Sequence, residues 1–258
     1  MFEERLHGAA KRAADLGYFP VYVSLHGSQN YGLAIHADDY QSDYDFKCIV
    51  LSSLRDLVEG KKPASLTLET ADGQIDVKDI RVFCDSLERM NPAYLESLAT
   101  AHRLILPGGE GMERIREMLP LLMEERAAVF AKACEGLFED KAKRMCHDSP
   151  AVHDRITCYG YDGKQPHHML RLLCQLRIFR QTGEFSLEAP QTVRELLVRL
   201  KKNEISLDEV RGMIPAWRKE MRELRSKIEQ KYGAPKSEAH EALRRVMHEM
   251  MMAHCQRG

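Results

Sequence analysis

The chain has little that would announce its class outright. No run approaches the ~18 apolar residues needed to span a bilayer. No Cys-x-x-Cys occurs, and the seven cysteines (48, 84, 134, 146, 158, 174, 255) are scattered and odd in number. That excludes a regular disulfide framework and points to reduced thiols, mostly buried. Basic excess is also missing: 38 Lys and Arg stand against 39 Asp and Glu, a net charge of −1. A near-neutral balance argues against processive tracking along nucleic acid and leaves room for local contact with one strand end. There is no low-complexity tract and no internal repeat. The charged start, Met1-Phe-Glu-Glu-Arg, is not followed by an apolar core, so the expectation is a cytoplasmic protein with no signal peptide and no membrane partner. With 258 residues the chain is long enough for a sizeable core in one large or two small domains.

What is present concentrates between Val21 and Val50. Val21-Tyr22-Val23-Ser24-Leu25 alternates as a strand and ends on Gly27-Ser28. A strand that turns into a helix at Gly-Ser exposes backbone N–H groups, with the serine hydroxyl as an added donor, which suits a phosphate. Further on, Asp43 and Asp45 lead into Phe46-Lys47-Cys48-Ile49-Val50. On one strand, i and i+2 share a face. Two adjacent carboxylates repel unless a cation lies between them, and oxygen ligands suit Mg²⁺ or Mn²⁺. A phosphate cradle followed by a metal-binding acid pair indicates nucleotide chemistry.

A third acid follows. Ser65–Thr70 and Gln74–Phe83 read as strands around the turn Ala71-Asp72-Gly73. Asp76, between Ile75 and Val77, points to the face opposite the core and would join Asp43 and Asp45 if the strands are neighbours. Asp79 is the competing candidate and is out of phase with Asp76. Asp38 and Asp39 read as a solvated loop.

Around this core, residues 3–16 form an amphipathic helix closed by Gly17, and residues 85–104 form a helix interrupted at Asn91-Pro92, with proline in the first turn. Pro107-Gly108-Gly109-Glu110-Gly111 reads as the linker between domains 1–106 and 107–258. The second half is helical: 112–118, 120–145, 164–182, a helix from Leu207 bending or restarting at Pro215 and ending at Gly233, and a Met-rich helix at 237–255. Thr192-x-x-Glu195 and Ser206-x-x-Glu209 are capping boxes. Residues 147–163 read as a loop. Lys164, His168 and Arg171 fall at i, i+4 and i+7, one stripe of a helix whose positive end faces the same way. Such a stripe suits a triphosphate, with Arg171 able to bind bidentately. Scattered Cys and His, such as Cys146, His147 and His153, lack zinc spacing. Trp217 stands among Arg218, Lys219, Arg222 and Arg225, but interleaved glutamates make this a salt-bridged face. Ala242, Val246, Met250 and Ala253 read as core.

Gly27-Ser28-Gln29-Asn30-Tyr31-Gly32-Leu33 and Ser42-Asp43-Tyr44-Asp45 resemble the nucleotidyltransferase superfamily of DNA polymerase β. More closely they are similar to the RNA-ligase-associated and phage-encoded members predicted to act in RNA repair. Asn91-Pro92 with Leu95-Glu96 also fits that resemblance, as do Tyr161-Asp162-Gly163-Lys164, His167-His168, Arg171-Leu172 and Thr182-Gly183-Glu184. The likeness covers roughly 21–83 and 159–210, and the loop before Ser42 is longer than in many relatives. It implies an α+β fold: a small mixed β-sheet, palm-like catalytic domain with flanking helices, then an all-helical domain completing the nucleotide site. It implies two-metal transfer of an NMP from an NTP such as ATP to a hydroxyl, with an RNA end (perhaps tRNA) as acceptor and Mg²⁺ or Mn²⁺ as cofactor. Asp43, Asp45 and Asp76 are then metal-binding and catalytic. Gly27, Ser28, Lys164, His168 and Arg171 contact the nucleotide, with His167 as the alternative to His168. A protein or small-molecule acceptor, and a non-catalytic nucleotide-binding or antitoxin-like module, stay open.

Overall fold

The computed structural model describes residues 2–37 and 40–257, so Asp38 and Asp39 lie outside the described residues. The architecture is α+β, with a mixed five-stranded sheet and flanking helices, then a helical region. The chain forms two compact units. The first comprises 1–30, 42–125 and 236–258; the second comprises 31–41 and 126–235. The glycine-rich stretch 107–111 therefore falls inside the first unit, and the chain passes between units at four places. Among the described residues no helix is long and apolar enough to cross a membrane.

The sheet of the first unit has strands β1 (Phe19–His26), β4 (Asp45–Leu51), β5 (Ser65–Thr70), β6 (Gly73–Asp79) and β7 (Arg103–Ile105). Their order is β5-β6-β4-β1-β7, with β4 and β6 parallel and the other pairs antiparallel. One face carries Val23, Leu25, Phe46, Cys48, Val50, Ile75 and Val77, packed on Leu6, Ala9, Ala10 and Ala13 of α1 (Phe2–Asp15). Small residues on that helix let it lie close to the sheet. The other face is apolar at one end, where Tyr22 and Ile49 meet α3 (Ile80–Glu88) and α4 (Pro92–Ala99), and polar at the other.

Several elements differ from the sequence reading for local reasons. The strand expected over 74–83 stops at Asp79, because the Asp79 carboxylate accepts the Arg81 N–H at 2.8 Å and starts a helix at Ile80. The helix expected over 85–104 gives way before its end, because Arg103–Ile105 pair with Tyr22, Val23 and Ser24 as β7. Pro92 sits in the first turn of α4, and Asn91 caps it through the Ala93 N–H at 3.0 Å. The C-terminal helix α12 (Glu238–Arg257) belongs to this unit. Its Leu243, Val246 and Met250 are buried, as a core stripe requires, and Arg244 pairs with Asp85 and Glu88.

The second unit is built from α7 (Ala127–Arg144), α8 (His153–Tyr159), α9 (Lys164–Thr182), α10 (Gln191–Lys201) and α11 (Leu207–Tyr232). A small pair of strands, β2 (His36–Ala37) and β3 (Tyr40–Gln41), belongs to it as well. The loop expected at 147–163 contains α8. Ser206 and Glu209 form the expected capping box, whereas α10 starts at Gln191 behind Pro190 and makes no side-chain cap, so Thr192 lies inside it. Pro215 sits within one continuous helix. Charges around Trp217 are paired, Arg218 with Glu139 at 2.7 Å and Arg225 with Glu135 at 2.6 Å.

Candidate active site

The polar end of the sheet's second face holds the candidate residues of the first unit. Register sets them in rows. His26 of β1 lies opposite Asp45 of β4. One row further in, Ser24 lies opposite Lys47, and Lys47 lies opposite Asp76 of β6. Asp45, Lys47 and Asp76 thus share the face away from the α1 core.

Gly27 follows His26 with φ +79°, in the left-handed region that glycine tolerates. A Cβ there would sit 3.2 Å from Asp45 Oδ2. The Gly-Ser corner and the second aspartate are therefore immediate neighbours. The corner itself is a single 3-10 turn over Gly27–Gln29, not the first turn of a longer helix. Its first donor is also engaged: the Gly27 N–H donates to Glu96 Oε1 at 2.7 Å. The corner therefore offers neither the Gly27 N–H nor the dipole of a longer helix, and the Ser28 hydroxyl is the donor left at it.

Glu96 is the organiser of the turn. It is fully buried on α4, accepts from Asn30 Nδ2 at 3.2 Å, and its second oxygen lies 3.3 Å from His26 Nδ1. Asn30 is held further by Leu25 O and by the Thr100 hydroxyl. One carboxylate thus ties helix α4 to both sides of the Gly-Ser corner.

Asp43 and Asp45 do not share a strand, since β4 begins at Asp45 and Asp43 is exposed on the loop leading into it. That loop is pinned by the β5–β6 turn. Tyr44 N–H donates to Asp72 O at 2.8 Å, and a Cβ on Gly73 would overlap Tyr44 O at 2.2 Å, so only glycine lets the two backbones pass. Arg5 pairs with Asp72 and lies 4.0 Å over the Tyr44 ring.

Asp76 sits on the expected face but not in the expected role. Lys47 Nζ lies 2.7 Å from its Oδ2, and Lys78 Nζ lies 2.8 Å from its Oδ1. Burial pushes the Asp76 carboxyl up, yet the Lys47 charge and the hydrogen bonds from both lysines outweigh it, so the net shift is downward. Lys47 is itself only 3% exposed, and its ammonium lies 4.3 Å from the Tyr94 ring centroid. Asp79, the competing acid, is fully buried and bound to Arg81, Ser52 and the α3 backbone. Among the described residues, no group of three or more His, Cys, Asp or Glu is placed to hold a metal ion. Asp76 is thus paired with lysines on both oxygens, across the sheet from Asp45.

The second unit holds Lys164, His168 and Arg171 on α9. Arg171 lies 4.0 Å over the Tyr31 ring, and Gln175 Nε2 donates to the Tyr31 hydroxyl at 3.0 Å. The Arg171 Nε is buried without a hydrogen-bond partner. Burial, then the charges of Arg171, Lys141 and Lys164, hold His168 far below the usual imidazole range. It is neutral, so the stripe carries two cations and an imidazole rather than three cations. Lys141 is lowered too, by burial and by Arg144 and Arg171. Like charges crowd one another here, a field that an anion relieves. His167 is not interchangeable with His168. It is 3% exposed, its Nδ1 lies 2.9 Å from Leu197 O, and burial pushes it down to about 3. Tyr161 and Asp162 are structural: the Tyr161 hydroxyl donates to Ile205 O at 2.5 Å, and Asp162 accepts from Lys164 N at 3.1 Å.

Sequence reasoning gives Lys47 no part in the site, and it places Glu96 and Tyr31 in motifs without assigning either a role. The only advance signal for Lys47 is a lysine two residues after Asp45 inside an otherwise apolar strand, and for Glu96 an acid on the buried side of a short helix.

No protein-family profile matches the sequence, and no curated protein does. Among solved structures, a similar chain is a nucleotidyltransferase-like protein from Exiguobacterium sibiricum, 13% identical over 96% of this chain and 80% of that one, with a TM-score of 0.31. A score that low carries no argument for a shared fold or activity.

Proposed function

We propose that the protein is a nucleotidyltransferase, moving an NMP from an NTP to a hydroxyl on an RNA end. The observation that carries this reading is the contact between the Gly-Ser corner and Asp45: Gly27 abuts the Asp45 carboxylate so closely that a Cβ would lie 3.2 Å from it. A serine hydroxyl beside a carboxylate, with Asp43 on the loop leading into that strand, suits a nucleotide that arrives as its magnesium complex, the ion being part of the substrate. Ser28 donates to the outer phosphates. Asp43 and Asp45 orient the complex through the ion it brings. Glu96 and Asn30 keep the corner from opening, so the donors need no reorganisation on binding. In the helical unit, the cluster of Lys141, Lys164 and Arg171 supplies a surface for phosphate, and the buried Tyr31 ring beneath the Arg171 guanidinium holds that side chain in place.

The test is incubation of the purified protein with α-labelled NTPs, Mg²⁺ and a panel of RNAs, with products separated into RNA, protein and small-molecule fractions. Label on RNA in the wild type, lost in Asp43→Asn/Asp45→Asn, is the expected result. Transfer that persists in the double variant overturns the assignment. Label found only on protein or small molecules moves the acceptor and leaves the chemistry standing.

A further inference from the structure

We infer that Lys47 is a resident cation that closes the position of a second divalent ion, so that the site takes nucleotide with one divalent ion only. On this inference, which rests on the nucleotidyl-transfer reading, Asp76 is a positioning residue for Lys47 and not a metal ligand.

Geometry carries the point. A second ion beside the Asp43–Asp45 pair would need Asp76, the acid that β6 presents on the same face. Metal ions that share such a site sit ~3.5–4 Å apart, each bonded to carboxylate oxygens. Magnesium binds oxygen at ~2.0–2.1 Å in a near-octahedral shell. Both oxygens of Asp76 already face ammonium groups: Oδ2 is 2.7 Å from Lys47 Nζ and Oδ1 is 2.8 Å from Lys78 Nζ, so a divalent ion there would meet like charge on either side. The lysines differ in how firmly they are held. Lys78 is the partly exposed one and also donates to the Ser65 hydroxyl at 2.8 Å. Lys47 is boxed in. It points from the middle of the sheet, with buried Ser24 as its neighbour on β1, Asp76 on β6, and the Tyr94 ring 4.3 Å from its ammonium. An ion that captured Asp76 would leave this buried ammonium without its counter-charge and would itself sit within a few ångströms of a like charge, both unfavourable in a desolvated setting. Lys47 also lies two residues from Asp45 on the same face, so its positive charge lies where a bridging cation would be useful.

The experiment counts Mn²⁺ by electron paramagnetic resonance, titrating the full chain in the presence of saturating α,β-methylene ATP. The wild type is expected to bind one nucleotide-dependent Mn²⁺ per chain, without the multiline spectrum of a spin-coupled pair. Asp76→Asn is expected to keep that one ion. A spin-coupled pair in the wild type overturns the inference while leaving nucleotide binding intact, and needs no variant to be read. A single ion lost in Asp76→Asn also overturns it, because Asp76 would then be a ligand. If the wild type binds no nucleotide at all, the nucleotidyl-transfer reading fails and this inference fails with it.

Discussion

Replacing Glu96 by alanine tests how far one buried carboxylate holds the Gly-Ser corner. The side chain is wholly inside the protein, accepts from Gly27 N–H at 2.7 Å and Asn30 Nδ2 at 3.2 Å, and lies 3.3 Å from His26 Nδ1. Losing the acceptor strands the Gly27 N–H, and a buried donor without a partner costs about 1–3 kcal/mol. Asn30 keeps Leu25 O and Thr100, so its loss falls near the low end, about 1 kcal/mol. The void left by the truncated side chain adds about 1 kcal/mol more. The sum is about 3–5 kcal/mol, a large part of the ~5–15 kcal/mol typical of a folded domain. Glu96→Gln keeps the volume and one oxygen for Gly27 and Asn30, so it should cost about 1–2 kcal/mol. Urea unfolding of the three proteins at pH 7.5 reads these values, and nucleotide binding should fall in the same order. A Glu96→Ala protein within about 1 kcal/mol of wild type would show that the turn is set by something else.

Three further outcomes follow from the same packing. Gly27→Ala should cost about 1–2 kcal/mol for the left-handed backbone, and should also abolish nucleotidyl transfer by crowding Asp45; Gly60→Ala, with φ +66° and open space around it, should lose stability without losing activity. His167 is pushed down to about 3 by burial, so the unfolded chain holds the extra proton between about pH 6.5 and pH 3, and stability rises with pH across that window. Between pH 7.5 and 5 this group alone should remove about 2 kcal/mol, His168 adds in the same direction, and chemical denaturation of His167→Gln should show a flatter profile. Arg171→Met should weaken RNA binding and reduce the slope of log K against log salt by about 1, measured by filter binding.

How much of this was legible depends on how local each cause is. Helix α9 was read at Lys164–Thr182, because Gly183 and the apolar rows of Leu172, Leu176 and Phe179 mark it within the segment itself. The Ser206 cap was equally local. The strand β7 was not legible: three residues, Arg103-Leu104-Ile105, become extended only because β1 offers them an edge. Asp79 shows a local rule overridden by another, since an aspartate that could have continued the strand pattern caps the next helix instead. For the candidate site, the residue types and the sheet face of Asp76 are legible in the chain, but its lysine partners are not. Lys47 is a neighbour of Asp76 only through the parallel register of β4 and β6, which lie 29 positions apart at that pair. Glu96 reaches Gly27 across 69 positions. No periodicity encodes such distances.

The sheet-bearing unit is completed by a helix that comes after the whole of the second unit in the chain. All of 126–235 emerges before α12 does, and α12 is what covers the apolar sides of α3, α5 (Gly111–Glu117) and α6 (Leu119–Glu125). During synthesis the helical insert can complete its own packing while the older half of the protein waits, its Met112 and Ile115 still wet.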